Sequence, residues 1–188
     1  RMSAKLSDVR TGIIVWAQAY TPTESLLLDT QSLIAEKIVN TLVPSVHATE
    51  LGMTQSFSMS DLSAYHLTLH ARKEMVDFDR RRFEDARALL EKAIELEPQF
   101  VQPYLQLADW FSLRLGQGWS SDPSADIKGL NLAVNKAAQL PGNAGRAMAM
   151  LAHNRTIYER DFDKAIDLID RALELAPSDA ETLMWCGP

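Results

Sequence analysis

The stretch Ala86-Arg87-Ala88-Leu89-Leu90-Glu91-Lys92-Ala93-Ile94-Glu95-Leu96-Glu97-Pro98 decides the fold, because it occurs a second time as Ala165-Ile166-Asp167-Leu168-Ile169-Asp170-Arg171-Ala172-Leu173-Glu174-Leu175-Ala176-Pro177. Both copies read Ala-x3-Leu/Ile-x2-Ala-x4-Pro. The small alanines let a neighbouring helix approach closely, the Leu or Ile between them fills the gap, and the proline, which lacks an N–H, ends the helix. Each copy follows an aromatic beside a charged turn, Arg82-Phe83-Glu84-Asp85 in one case and Asp161-Phe162-Asp163-Lys164 in the other. Between them the pattern returns more weakly as Leu130-x3-Val134-x2-Ala137-x2-Leu140-Pro141, with one residue fewer before its proline.

Working outward, the apolar spacing predicts helices at about 61–79, 83–96, 101–115, 124–139, 144–159, 162–175 and 179–187. These make three helical hairpins and a seventh helix. From Pro98 to Pro177 is 79 residues, against roughly 68 for two 34-residue units, a surplus of about 11. Most of it falls in Leu115-Gly116-Gln117-Gly118-Trp119-Ser120-Ser121-Asp122-Pro123, an enlarged loop with Trp119 at its centre.

Composition agrees with a mainly helical chain. Of 188 residues 46% are hydrophobic, while Gly and Pro number only 8 each, which is too apolar for a disordered segment and ample for a core. No apolar run approaches the roughly 18 residues of a membrane span, so no membrane role is expected. A single Cys, with no charged-then-apolar leader in the sequence, gives the expectation of a cytoplasmic, reduced chain. The net charge of −6 argues against direct nucleic-acid binding by this segment, since phosphate contacts need clustered Lys and Arg.

Residues 2–20 have a different texture. Ile13, Ile14, Val15, Trp16 and Tyr20 are β-branched or aromatic, and Asp8-Val9-Arg10-Thr11-Gly12 supplies a turn, so a β-hairpin of about 2–7 and 13–20 is predicted. An isolated hairpin is marginal in water, so it needs a further sheet or a second copy of itself; self-association through the hairpin is the expectation from the latter. Leu27, Ile34, Ile38 and Leu42 then predict a helix at about 24–43, ending before Pro44. The predicted organisation is an αβ piece over 1–46, a Ser/Thr-rich linker over 47–60 and a repeat domain over 61–188. The strand-like start and helix-like end suggest a chain cut within a sheet and within a repeat.

The repeated segments resemble the second helix of a tetratricopeptide repeat. Tyr104-x2-Leu107-Ala108-x2-Phe111 is similar to the family's first-helix signature, and Asp179 to Gly187 resembles the start of a further first helix, with Leu183, Cys186 and Gly187 in register. The resemblance implies an α-α superhelix of antiparallel hairpins over about 61–187. It also implies a concave groove for a protein or peptide partner, lined by Arg72, by Leu105, Asp109 and Ser112, and by Met150, Asn154 and Tyr158; the alternative is that these residues pack the groove or face water. Asp8-x2-Thr11-Gly12-x3-Trp16, followed by Asp29-x-Gln31-x2-Ile34-Ala35, is similar to the end of the αβ domain preceding such repeats in bacterial regulators. Class III nucleotidyl cyclases and winged-helix transcriptional activators are among them. The resemblance implies a non-catalytic interaction and regulatory module, with neither a cyclase metal-carboxylate motif nor a basic recognition helix here and no cofactor expected.

Other chemistry is sparse. His66, His70 and Glu74 fall at i, i+4 and i+8 of one predicted helix, a spacing that can hold zinc, or an ordinary helix face; the metal-dependent alternative function rests on them. Cys186 falls at a helix interface, with no motif bringing a His to it, and reads as structural rather than nucleophilic. Gly116-Gln117-Gly118 lacks the Lys-Ser/Thr of a phosphate loop and reads as a helix-ending turn. Arg80-Arg81-Arg82 is interrupted by nearby acids and reads as a solvated turn, with an acidic partner or a nucleic-acid contact as the other reading. Trp119 is either an exposed aromatic anchor for a partner or buried beneath its loop.

Overall fold

The structure, a computed structural model, describes residues 2–7, 12–20, 46, 63–76 and 79–187. The chain is mainly helical and divides into two compact units, Arg1–Phe57 and Ser58–Pro188. In the first unit, strands β1 (Met2–Ser7) and β2 (Ile14–Tyr20) pair antiparallel, with Leu6 opposite Trp16 and Ser7 opposite Ile14. The register shift leaves Val15 as an extra residue on β2, a bulge of the kind that increases local twist near a turn. Gly12 takes a left-handed conformation (φ +69) as the chain enters β2. The helix predicted at 24–43 and the linker at 47–60 lie outside the described residues.

The second unit contains α1 (Ala64–Val76), α2 (Arg80–Leu96), α3 (Gln102–Gly116), α4 (Pro123–Gln139), α5 (Ala144–Asn154), α6 (Phe162–Leu175) and α7 (Ala180–Cys186). Aspartates start four of them. Asp79, Asp122, Asp161 and Asp179 each accept a backbone N–H from the first turn of α2, α4, α6 and α7 respectively. That cap is why α2 begins at Arg80 rather than near 83. Helices α2, α4 and α6 end one residue before the residue that precedes Pro98, Pro141 and Pro177, as a following proline requires. The long helix predicted at 144–159 instead changes at Arg155 into one π turn, Arg155–Glu159, closed by Arg160 at φ +55. Thr156 donates its hydroxyl to the Ala152 carbonyl at 3.0 Å, a side-chain bond that competes with the helix ladder there.

Hairpins α1–α2, α3–α4 and α5–α6 pack in series, and the first helices also meet, α1 against α3 and α5 against α7. This is an arrangement of stacked helical hairpins. The junction of the first two hairpins is aromatic. Trp110 of α3 is fully buried, stacks on Phe83 of α2 at 5.4 Å between ring centroids, and donates its indole N–H to the Phe83 carbonyl at 2.7 Å. Phe111 meets the same indole edge-on at 5.1 Å. Gly129 of α4 lies directly on the Phe111 ring, and a Cβ there would stand 2.4 Å from it. In the third hairpin Gly145 of α5 plays a similar part against α6, where an added Cβ would stand 2.7 Å from the Ala176 methyl. Among the described residues no helix is long and apolar enough to cross a membrane.

Candidate partner-binding site

Four charged side chains, one from each first helix, converge: Arg72 on α1, Asp109 on α3, Arg146 on α5 and Glu181 on α7. Local structure places each of them. A tight turn with left-handed Gly142 (φ +85) and Asn143 (φ +51) starts α5 and sets Arg146 in its first turn. Asp179 accepts both the Thr182 N–H and the Thr182 hydroxyl, which fixes the first turn of α7 around Glu181. Trp185, one turn on, lies edge-on to His153 of α5 at 5.0 Å and holds α7 against α5.

Arg146, only 4% exposed, is the hub. It donates to Asp109 Oδ2 at 2.5 Å through Nη2 and to Glu181 Oε2 through Nη1. The other Glu181 oxygen pairs with Arg72 Nη2 at 3.2 Å. Burial pushes the Asp109 carboxyl up to about 6 against the opposing pull of Arg146; Glu181 adds to the rise and Arg72 opposes it. Asp109 Oδ1 and Arg146 Nε are buried without a hydrogen-bond partner. The seam therefore retains one acceptor and one donor in a setting where unpaired polar atoms are costly.

Arg72 and Asp109 thus share one space, as the sequence leads one to expect, but that space is filled by the chain's own ions rather than left open. The two residues that fill it, Arg146 and Glu181, were missed. A signal existed in the sequence: Arg72, Asp109, Arg146 and Glu181 alternate in sign at intervals of 37, 37 and 35 residues, close to the repeat length. Leu105 and Met150, expected on the groove surface, are corrected to core residues, because neighbouring helices close over them and both join the main apolar cluster. Ser112 is half-buried with its hydroxyl unpartnered, and Asn154 is 2% exposed with both amide atoms unpartnered. Tyr158 is half-buried on the π turn, and burial pushes its hydroxyl pKa up.

Trp119 is fastened under its loop rather than presented by it. Its ring meets Phe83 edge-on at 5.0 Å and its carbonyl accepts from Arg80 at 3.4 Å. The Gly116–Gly118 turn ends α3 with the Gly118 N–H on the Leu115 carbonyl (3.1 Å) and the Trp119 N–H on the Arg114 carbonyl (3.0 Å), with Gly118 left-handed. Those amides face the helix end, so they cannot cradle a phosphate. The metal candidate is also corrected. Glu74 is taken by Arg82 through Nε (2.5 Å) and Nη2 (3.2 Å), and His66 Nδ1 lies 2.9 Å from the Ser63 hydroxyl. No group of three or more His, Cys, Asp or Glu side chains able to hold a metal occurs among the described residues. Burial lowers the pKa of His70, with Lys73 and His66 acting the same way and Glu74 opposing them. Burial raises that of the Cys186 thiol, away from thiolate character. A shallow depression between α4, α5 and α6 is lined by Asn135, Leu151, Arg155, Lys164, Asp167 and Leu168. Two of its charged groups are already paired, Arg155 with Glu159 and Lys164 with Asp161.

No protein-family model matches the chain. It is similar to Putative adenylate cyclase 3 of Rhizobium meliloti, 26% identical over 108 residues that make up 57% of this chain and 18% of that protein. It is also similar to Transcriptional regulator HilA of Salmonella typhimurium, 23% identical over 156 residues, 83% of this chain and 28% of that protein. HilA of Salmonella typhi aligns with the same figures. The chain therefore spans less than a third of the length of each of these relatives, and the likeness is to segments of larger proteins, one named a cyclase and the other a transcriptional regulator.

Proposed function

We propose that the chain is a non-catalytic interaction and regulatory module of a larger bacterial signalling or transcription-regulating protein, built on tetratricopeptide-like hairpins and working in the cytoplasm. One observation carries the reading. The relatives are named for different outputs, a cyclase and a transcriptional regulator, yet they match 57% and 83% of this one chain, so the matched stretches must overlap. A segment common to proteins of different output is better suited to control or assembly than to either output. In this reading the partner is a protein or peptide that meets the exposed side of Arg72 beside the seam and the half-buried Ser112 and Tyr158, with no membrane and no direct nucleic-acid contact by this segment. Self-association through β1 and β2 belongs to the same proposal.

A photo-crosslinking residue at Ser112 or Tyr158, introduced in the host cell, tests it. A discrete crosslinked product is expected from at least one position, and an Arg72→Glu change should reduce it severalfold. A chain that gives no product at either position and sediments as a monomer at all concentrations would end the proposal.

A further inference from the structure

Aspartates start α2, α4, α6 and α7, but α5 starts differently. The chain reaches it through Pro141-Gly142-Asn143: proline cannot continue α4, and glycine and asparagine best tolerate the left-handed φ of +85 and +51 found there. Asn143 makes no side-chain cap bond, and a Cβ added at Gly142 would meet, beyond its chain neighbours, only Val101 Cγ1 at 3.8 Å. The turn is therefore set by its own dihedrals and is not clamped by its surroundings.

The packing divides at the same turn. On one side α1, α2, α3 and α4 pack on one another, and on the other α5, α6 and α7 do. Across the division, among the described residues, α4 against α5 is the one helix pair packed along its length, with Ala147 and Met150 of α5 completing the core there. First helices meet as α1 with α3 and as α5 with α7, yet α3 and α5 do not pack along each other. What spans the division between first helices is ionic: Arg146 to Asp109, and Arg72 to Glu181.

Those two pairs are poorly placed to make the closed arrangement permanent. Asp109 Oδ1 and Arg146 Nε are buried without partners, and burial outweighs the pull of Arg146 on the Asp109 carboxyl. Separation would give both atoms water. It would also leave Arg146 with Glu181, since both lie on the same side of the division. The Coulombic loss on opening is thus partly offset, which is the condition for two arrangements close in free energy.

We propose that α5, α6 and α7 swing as one body on the Pro141–Asn143 turn, and that Arg146–Asp109 and Arg72–Glu181 form the latch that holds them shut against α1–α4. The seam is then exposed by unlatching, and anything that binds there does so with an affinity lowered by the closed fraction. The device belongs to the chain itself and stands whether or not a partner meets Arg72.

Distances between paired spin labels in the full 188-residue chain, carrying Cys186→Ser, test it. Labels at Lys73→Cys and Met184→Cys, exposed on α1 and α7, span the latch. Lys73→Cys with Lys128→Cys, and Glu174→Cys with Met184→Cys, report within each body. Arg72→Glu, at the half-exposed end of the latch, and Asp109→Ala should each raise the population of a longer 73–184 distance at least threefold, with both internal distances unchanged. A 73–184 distance that either variant leaves unaltered overturns the proposal. So does an internal distance that changes along with it, because the loss would then be of folding and not of a latch.

Discussion

The junction between the first two hairpins and the junctions around α5 join the same kind of repeat with opposite materials. Between α2 and α3 the contact is large and apolar, with the Phe83, Trp110 and Phe111 rings filling the space and Trp119 closing it. Around α5, beside the apolar packing of Ala147 and Met150, the distinctive contacts are small and ionic. Gly145 lets α6 come within contact of its backbone, and Arg146 gathers Asp109 and Glu181 from two other helices. A repeat pattern of alanines and prolines therefore fixes where helices run but not how their junctions are held. An aromatic junction stabilises through area removed from water and responds little to pH. An ionic one depends on every partner being present and charged.

The largest effects should come from breaking each junction at its centre. Phe83→Ala removes the ring on which Trp110 stacks and leaves a cavity, and should cost about 3–5 kcal/mol in urea unfolding. Arg146→Ala leaves Asp109 and Glu181 facing each other without their cation, and should cost about 3–5 kcal/mol by the same measurement. The two losses should part company with pH: the cost of Phe83→Ala stays constant between pH 5 and 8, whereas that of Arg146→Ala shrinks as Asp109 protonates.

Next in size is the titration of Asp109 itself. Its folded pKa of about 6 lies above its ordinary value of 3.8, so the folded chain holds a proton that the unfolded chain has released. The stabilising contribution of that proton is complete below about pH 4 and is lost as the pH rises through 6, with a ceiling of about 3 kcal/mol. Asp109→Asn should flatten this part of a plot of Tm against pH; an unchanged slope between pH 4 and 6 would assign it to other carboxylates. Gly145→Ala should cost about 1–3 kcal/mol, because the new methyl meets the Ala176 Cβ at 2.7 Å and the Ala172 carbonyl oxygen at 3.1 Å, neither on a flexible side chain. The smallest change is expected at Arg87→Ala, which loses the exposed pair with Glu91 and the guanidinium's place over the Trp110 and Phe111 rings, and should cost about 1 kcal/mol.

Much of the helical architecture was legible, for identifiable reasons. Ala86, Leu90 and Ala93 mark a buried face by spacing alone, Pro98 and Pro177 stop their helices, and Asp122-Pro123 starts one. The site was less legible. Spacing gives the face of a helix on which a residue lies, but not the distance to whatever stands opposite. Leu105 and Asp109 share a face of α3, yet the first is enclosed in the core and the second reaches the seam. Arg146 lies one turn before Met150 on α5, in a segment where charge is ordinarily solvated, and nothing local distinguishes it from an exposed arginine. Only its recurrence at the repeat interval, opposite in sign to Asp109 and Glu181, carried the information. The π turn at Arg155–Glu159 has no comparable signature, because widening the last turn of a helix leaves the apolar spacing of Ala144–Asn154 before it unchanged.

The hub of the seam also bears on the order in which the molecule can be completed during synthesis. Asp109 precedes Arg146 by 37 residues and Glu181 follows it by 35. At about 5–20 residues per second a ribosome makes Arg146 roughly 2–7 s before it makes Glu181. During that interval the guanidinium has only one of its two carboxylates, so the third hairpin waits half-neutralised for α7, while the aromatic junction upstream already has every residue it needs.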